Sequence, residues 1–513
     1  MIRMMKSLSC ILLFSALFCV EASAQTTIKA ASCSESDVQS AIGKATTDSN
    51  IVQIPAGTCS WSSQMKISVS NSVTIQGAGA EYATSGGAST SGTDQTIIED
   101  DVPTNGMMII TVPSGKSFRL TGIDFTWDSN NSGGTVYNGI VQVGGTSHSV
   151  QIDHCHFNNL NGLAVRITGS ITGVADYNVF DNVHGAFSTN NGYSWAGGSE
   201  GGPGDQSWAD GDHWGTSQFM FYEDNQLNGG GLDCWNGGRY VFRYNTFTSI
   251  NDSVFEHGTD GAGRNRSCRA AEVYGNNFQS PTGTSPSGQA TTFINGGAML
   301  YWGNTDVGWR QMIVMEDSRD NYSSYTEYQP PQGWGYCGTS INGLSSAWDQ
   351  NTDSSGYACI DQPGRGAGDL LTGDFPNALN SATGTISWPN QALDPVYVWD
   401  NNYTPIPNES LDAIAVGALG PVLQNRDFYV QFGAYGETGT FNGTKGIGQG
   451  STVPTMSCTQ NVGYWDTTNQ TLYRCNSSGK WAAYYTPYTY PYPTDNSSAS
   501  RPSPPSSLSA TAQ

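Results

Sequence analysis

All six histidines, His148, His154, His156, His184, His213 and His257, fall within one stretch of 110 residues. The other side chains able to do chemistry crowd into the same region. Between Phe187 and Gly215 an insertion joins Trp195, Trp208 and Trp214 to Glu200, Asp205, Asp210, Asp212 and His213. Rings beside carboxylates suit a sugar-binding cleft: aromatic faces stack on sugars, and acids accept from hydroxyls or ligate Ca²⁺. Asp210 and Asp212 are the expected Ca²⁺ ligands, and the three tryptophans with Trp235 and His213 the expected substrate contacts. Next come Asp233, Asp252, Glu256 and His257, then Arg264, Arg266 and Arg269. Two carboxylates on one patch would serve as general acid and base for glycoside hydrolysis, one raised in pKa by its partner. The arginines suit a different reaction. A β-eliminative lyase neutralises a uronate carboxylate, removes the C5 proton and protonates the leaving oxygen. His257 and Arg266 supply the types for base and acid, and Arg264 and Arg269 those for holding the carboxylate. No lysine occurs between Lys116 and Lys445, which leaves no lysine to act as base among the candidates.

Each group has a plainer reading as well. His154 and His156, two apart on one strand, fit a side-chain ladder, a lone carboxylate fits a solvated turn, and the arginines fit surface pairing with Glu272 and its neighbours.

Bringing these residues together is the task of a repeating frame. A short unit recurs as Ile152-Asp-His-Cys-His-Phe157, Ala175-Asp-Tyr-Asn-Val-Phe180, Tyr222-Glu-Asp-Asn-Gln-Leu227, Phe242-Arg-Tyr-Asn-Thr-Phe247 and Val273-Tyr-Gly-Asn-Asn-Phe278. Aligned on Cys155, Asn178, Asn225, Asn245 and Asn276, the units are 23, 47, 20 and 31 residues apart. That base step is close to one coil of a parallel β-helix, and such a coil buries its inward side chains only by stacking on neighbours. The asparagines are expected at a bend, in left-handed backbone angles, with amides laddered from coil to coil. Phe157, Phe180, Leu227, Phe247 and Phe278 are expected to stack as an inward column. Asp233 stands eight residues past its ladder Asn, and Asp252 and Glu256 seven and eleven past theirs, which would bring them to one flank.

Ile51 to Gly57, Val73 to Gly77 and Phe118 to Phe125 alternate apolar and polar residues as half-buried strands do, and supply the first coils. Ser36 to Ala45 reads as a short helix capping the open end. Val396 to Tyr403 repeats the Asn pattern and marks a late coil.

Ile54-Pro-Ala-Gly57 and Thr74-Ile-Gln-Gly-Ala-Gly79, followed by the Asn-and-Phe coils, resemble the pectate-lyase-like superfamily across roughly residues 30 to 410. Ile152-Asp-His-Cys155 resembles a strand segment of pectate lyases, but the arginine-bearing motif that should follow is missing. The resemblance implies a right-handed parallel β-helix. It leaves the activity open among lyases, hydrolases, epimerases, tailspikes and adhesins.

Met1 to Ala24 has the basic start, apolar core and Ala-Ser-Ala end of a secretory signal peptide, so export is expected, to the extracellular space or the periplasm. Nine cysteines remain after it, with expected pairs Cys33–Cys59, Cys234–Cys268, Cys337–Cys359 and Cys458–Cys475; Cys155 reads as a small buried hydrophobe. A formal charge of −22 with only 21 Lys and Arg argues against nucleic acid. No stretch after the leader is apolar enough for a membrane span. The expected division is a leader over 1–24, the β-helix over 25–455, an aromatic-rich disulfide-closed β element over 456–493, and a Pro/Ser-rich tail over 494–513. The aromatic element is read as folding back on the solenoid, with a separate carbohydrate-binding module as the alternative. The functional expectation is a monomeric polysaccharide lyase acting on an acidic glycan with Ca²⁺. The alternatives are a glycoside hydrolase and a non-catalytic glycan-binding or adhesive solenoid.

Overall fold

The computed structural model describes residues 25–103, 106–131, 133, 138–192, 204–248, 254–256, 266–280, 290–315, 361–368, 391–407, 412–416, 422–435 and 437–494. Among the described residues, three parallel sheets of twelve, ten and ten strands run from Thr27 to Val430. Each coil gives one strand to each sheet in turn, as with Val150–Asp153, His156–Asn158 and Leu163–Thr168, and the next coil pairs in register above it. This is a parallel β-helix. A helix over Glu35–Gly43 closes its start, with the Ser34 hydroxyl accepting the Asp37 N–H and Val38 and Ala41 buried. It satisfies a free helix end as an N-cap does.

The repeat sets the core. In the second sheet Phe125, Phe157, Phe180, Leu227, Phe247 and Phe278 occupy one register position, all wholly buried. The Phe157 and Phe180 rings stack at 4.9 Å. Where the column reaches the next coil the same position holds Asp306, whose carboxyl accepts from the Tyr301 hydroxyl at 2.8 Å and is pushed up to about 7 by burial.

The asparagine ladder is complete from Asn178 through Asn225, Asn245, Asn276 and Asn304 to Asn401. In each step an amide Nδ2 donates to the next Oδ1 at 2.9–3.1 Å, and the backbone N–H donates to that same oxygen. Cys155, in the first register position, donates its N–H to Asn178 Oδ1 and is buried and free, as a small apolar residue would be. The left-handed angle falls elsewhere than expected. It belongs to the residue before the ladder position: His154, Tyr177, Asp224, Tyr244, Gly275, Gly303 and Asp400 all have positive φ. Asparagine is therefore selected by its amide and not by backbone tolerance. The strained residue beside it is held in place by two hydrogen bonds per rung.

Asn245 sits mid-ladder, and its alanine variant would strip acceptors from the Asn225 amide and main chain. Each buried group left unpaired costs about 1–3 kcal/mol. Asn245→Ala is expected to lower unfolding free energy by about 2 kcal/mol, and Asn401→Ala, at the half-exposed end, by clearly less. Urea unfolding of both variants measures the difference; equal losses would show that the ladder carries no cooperative load.

Disulfides join Cys33–Cys59, Cys234–Cys268 and Cys458–Cys475. Cys337 and Cys359 lie outside the described residues. The outward face of the first sheet begins polar (Thr74, Arg119, Gln151) and turns apolar from Val174 on, through Phe221, Val241, Leu300, Tyr397 and Tyr429. Strands buried on both faces read this way. The cover is a four-stranded sheet of Ile447–Gly450, Gly463–Asp466, Thr471–Cys475 and Trp481–Tyr485, which begins ahead of residue 456. It folds back on the solenoid and forms a second apolar core with Phe221, Trp302 and Trp399. Tyr485 and Tyr492 lie inside that core, so the aromatic run is spent on docking.

Candidate functional site

The third sheet carries an outward row of polar residues on successive coils. Gln142 pairs with Arg166, Arg166 with Ser188, and Ser188 with Asp233. The inward neighbours Val165, Phe187 and Leu232 are core, so strand alternation turns the row outward. Two strand spacings put Arg166 and Asp233 about 9.6 Å apart along the sheet. Trp235 lies beside the row, half-buried, with the Arg166 guanidinium 5.6 Å from its ring centre and its Nε1–H directed at Ser188 Oγ, 3.4 Å away. The Cys234–Cys268 bridge and an antiparallel bridge to Ser267 fix that indole. Arg166 Nη1 donates to Asn138 Oδ1 at 2.7 Å. A cation, an aromatic ring, a hydroxyl and a carboxylate thus share one face.

Of the residues singled out in the sequence, Asp233 and Trp235 stand here. Asp252, His257, Arg264 and Trp195 lie outside the described residues. Glu256 belongs to the strand Val254–Glu256, whose Val254 pairs with Leu232 and whose Glu256 pairs with Ile294.

Four expectations are corrected by burial. Arg266 is wholly buried and held bidentate by Asp361 at 2.7 and 2.8 Å, so it anchors a segment 95 residues further on. Arg269 is equally buried, between Asp212 at 2.8 Å and Asp394 at 3.0 Å. Trp208 lies against both guanidiniums, 5.0 and 5.6 Å from its ring, and donates its Nε1–H to the Ser267 carbonyl. Trp214 is 9% exposed, stacks on Phe219 and donates to the Tyr484 hydroxyl. None of these rings offers a free face to a sugar.

The expected Ca²⁺ ligands are already engaged by basic side chains. Asp210 pairs with His213 at 2.7 Å, and Asp212 with Arg269. Burial pushes the Asp212 carboxyl up, but the charge of Arg269 and a hydrogen bond from Asp394 outweigh it and hold it at about 2. Buried Arg239 ties the same insertion down by donating to Ser207 and to the Asp212 carbonyl. The described part of the tryptophan-rich insertion is a plug built on arginines.

The described histidines do not converge either. His148 meets the Thr172 hydroxyl, His154 sits at a bend between Tyr82 and Tyr177, His156 is buried on the second sheet, and His184 is exposed. His154 is the bend residue and His156 opens the next strand, so they form no common ladder. Arg166 escaped the sequence reading because one arginine in Leu163–Thr168 looks like any solvated strand residue. Its register with Asp233 was the missing signal. A cavity of about 850 Å³ at the last coil, lined by Asp400, Asn401, Tyr403, Asp412, Gln424 and Tyr435, is the open end of the stack and holds none of these candidates.

Comparison with protein-family models, with curated proteins and with solved structures finds no match to this chain.

Proposed function

We propose that this chain is a secreted polysaccharide lyase of the pectate-lyase-like type, and that the outward face of the third sheet binds an acidic glycan and cleaves it by β-elimination. The observation that carries the reading is the single face shared by Arg166, Ser188, Asp233 and Trp235. Trp235 offers a stacking surface for a sugar ring. Arg166 pairs with the uronate carboxylate, which acidifies the C5 proton. Asp233 takes that proton, and the leaving oxygen takes a proton from water. The apolar leader and three disulfides accord with an oxidising compartment outside the cytoplasm.

The test is a panel of acidic and neutral polysaccharides, each with Ca²⁺ or chelator, read by the ultraviolet absorbance of unsaturated products. Arg166→Ala is expected to lower kcat/KM on the acidic substrate about 100-fold, the scale of losing one charge-stabilising donor, and Asp233→Asn to abolish turnover. New reducing ends without that absorbance would select hydrolysis. Binding without cleavage across the panel would select an adhesive solenoid.

A further inference from the structure

On the second sheet, away from the glycan face, His156 stands in register with Asp124 on the preceding coil. The chain between the strands Val73–Gln76 and Thr96–Asp100 leaves the solenoid as a two-stranded ribbon of Glu81–Ala83 and Thr90–Gly92. This ribbon lays two acids against the imidazole. His156 Nδ1 lies 3.1 and 3.2 Å from the two Asp94 oxygens and 3.7 Å from Asp124 Oδ1. Oxygens of Glu81 and Asp94 and a ring nitrogen of His156 all lie within 4.8 Å of one another. At the far edge of the ring Nε2 is 3.1 Å from Asp181 Oδ2, and Asp181 is fixed by the Asn228 amide at 2.7 Å.

An acidic cluster alone says little, since ion pairs also gather acids. The independent sign is Asp124. Its residue is 3% exposed, yet Oδ1 accepts no hydrogen bond and is directed at the imidazole. A buried carboxylate oxygen without a donor is costly, and in native proteins it calls for an explanation such as an ion.

We propose that Glu81, Asp94 and His156 Nδ1 form the core of a binding site for one divalent transition-metal ion, best suited to Zn²⁺, with Asp124 Oδ1, 3.7 Å from that nitrogen, drawn in as a further donor. One imidazole nitrogen with carboxylate oxygens is a zinc donor set, whereas Ca²⁺ takes six to eight oxygens. Tetrahedral Zn²⁺ with bonds of about 2.0 Å spaces its donors about 3.3 Å apart, close to the separations around Nδ1. Asp181 completes the arrangement as a positioning residue. Ligating histidines give their other N–H to a carboxylate, which fixes the tautomer and raises the basicity of the bound nitrogen. The ion would pin the ribbon to the coils beneath it. The ribbon's far end is already held by the Gly86 N–H to Asp224 and by the Thr246 hydroxyl to the Gly86 carbonyl.

The test is calorimetric titration of the chelator-stripped full chain with ZnCl2, with CaCl2 as a parallel arm and melting temperature as a second readout. One Zn²⁺ per chain, a higher melting temperature, and at least tenfold preference over Ca²⁺ are expected. Asp124→Asn and His156→Gln should lose stoichiometric binding, and Asp181→Asn should weaken it 10- to 100-fold. Glu81→Gln, on the half-exposed ribbon, should weaken it at least tenfold with an unchanged circular dichroism spectrum, which covers the case in which the buried variants fail to fold. Substoichiometric zinc on the folded chain, unchanged affinity in Glu81→Gln, or equal affinity for Ca²⁺ would overturn the proposal. Glycan cleavage on the third sheet is unaffected by any of these outcomes.

Discussion

Arg243→Ala is expected to destabilise the protein by about 3–5 kcal/mol and to release the C-terminal sheet, because it leaves a buried carboxylate without its counter-ion. Arg243 is wholly buried in the first sheet, in register with Glu223 on the coil before. Its Nε donates to Glu223 Oε2 at 2.7 Å, and Nη2 lies 2.6 Å from the same oxygen. Nη1 donates to the Tyr274 hydroxyl and the Tyr488 carbonyl, both at 2.8 Å, and Nη2 to the Thr489 carbonyl at 2.9 Å. Glu223 in turn accepts the Tyr492 N–H at 2.7 Å. One guanidinium therefore closes the seam between the solenoid and the aromatic segment that follows the last strand. Denaturant unfolding and proteolysis after Cys475 measure the loss. Replacing both partners, as in Arg243→Met with Glu223→Leu, should recover most of the single-variant loss, since an apolar pair has no charge to desolvate. A single variant within 1 kcal/mol of the parent would mean that water reaches Glu223 and that the seam is open.

The frame was legible in the sequence because it repeats. Cys155, Asn178, Asn225, Asn245 and Asn276 announced the ladder, and the apolar residue two positions on announced the column, since stacked coils impose the same demand at the same register. Asn304 was hidden by its neighbours: Asp306 stands two positions on, where the pattern asks for a large apolar residue. The chemistry was harder to read because it is made of contacts between distant segments. Arg266 and Arg269 beside Trp208 have the composition of a sugar site. What turns them inward is Asp361 and Asp394, 95 and 125 residues further along. His156 gives the converse case. Two histidines two apart suggested a ladder, but the left-handed turn at His154 sends His156 to another sheet, where Asp94, 62 positions earlier, meets it. Local pattern fixes which face a residue takes only between bends.

The second large effect concerns pH and a single acid in an apolar column. On the outward face of the first sheet Glu272 stands between Val241 and Leu300, wholly buried beneath the C-terminal sheet. It accepts the Gly215 N–H at 2.8 Å and the Tyr485 hydroxyl at 2.9 Å, and so ties the insertion and the last sheet to one coil. Burial pushes its carboxyl up to about 7, against the opposing pull of those two donors and of Arg243. The folded chain therefore keeps the proton to higher pH than the unfolded chain, which releases it near 4.5. The stability this group contributes is whole below about 4.5 and is lost as pH rises through about 7. The gap of roughly 2.5 units corresponds to about 3 kcal/mol. Glu272→Gln cannot ionise, and its amide keeps an acceptor for Gly215 and a donor for Tyr485. The variant should match the parent near pH 4.5 and exceed it by up to about 3 kcal/mol at pH 8. Asp306 and Asp394, also held at about 7, tilt the parent in the same direction, so the quantity to read is the difference between variant and parent at each pH. A difference that stays flat from pH 4.5 to 8 would mean that Glu272 titrates as an ordinary carboxylate and that the docked sheet does not exclude water from it.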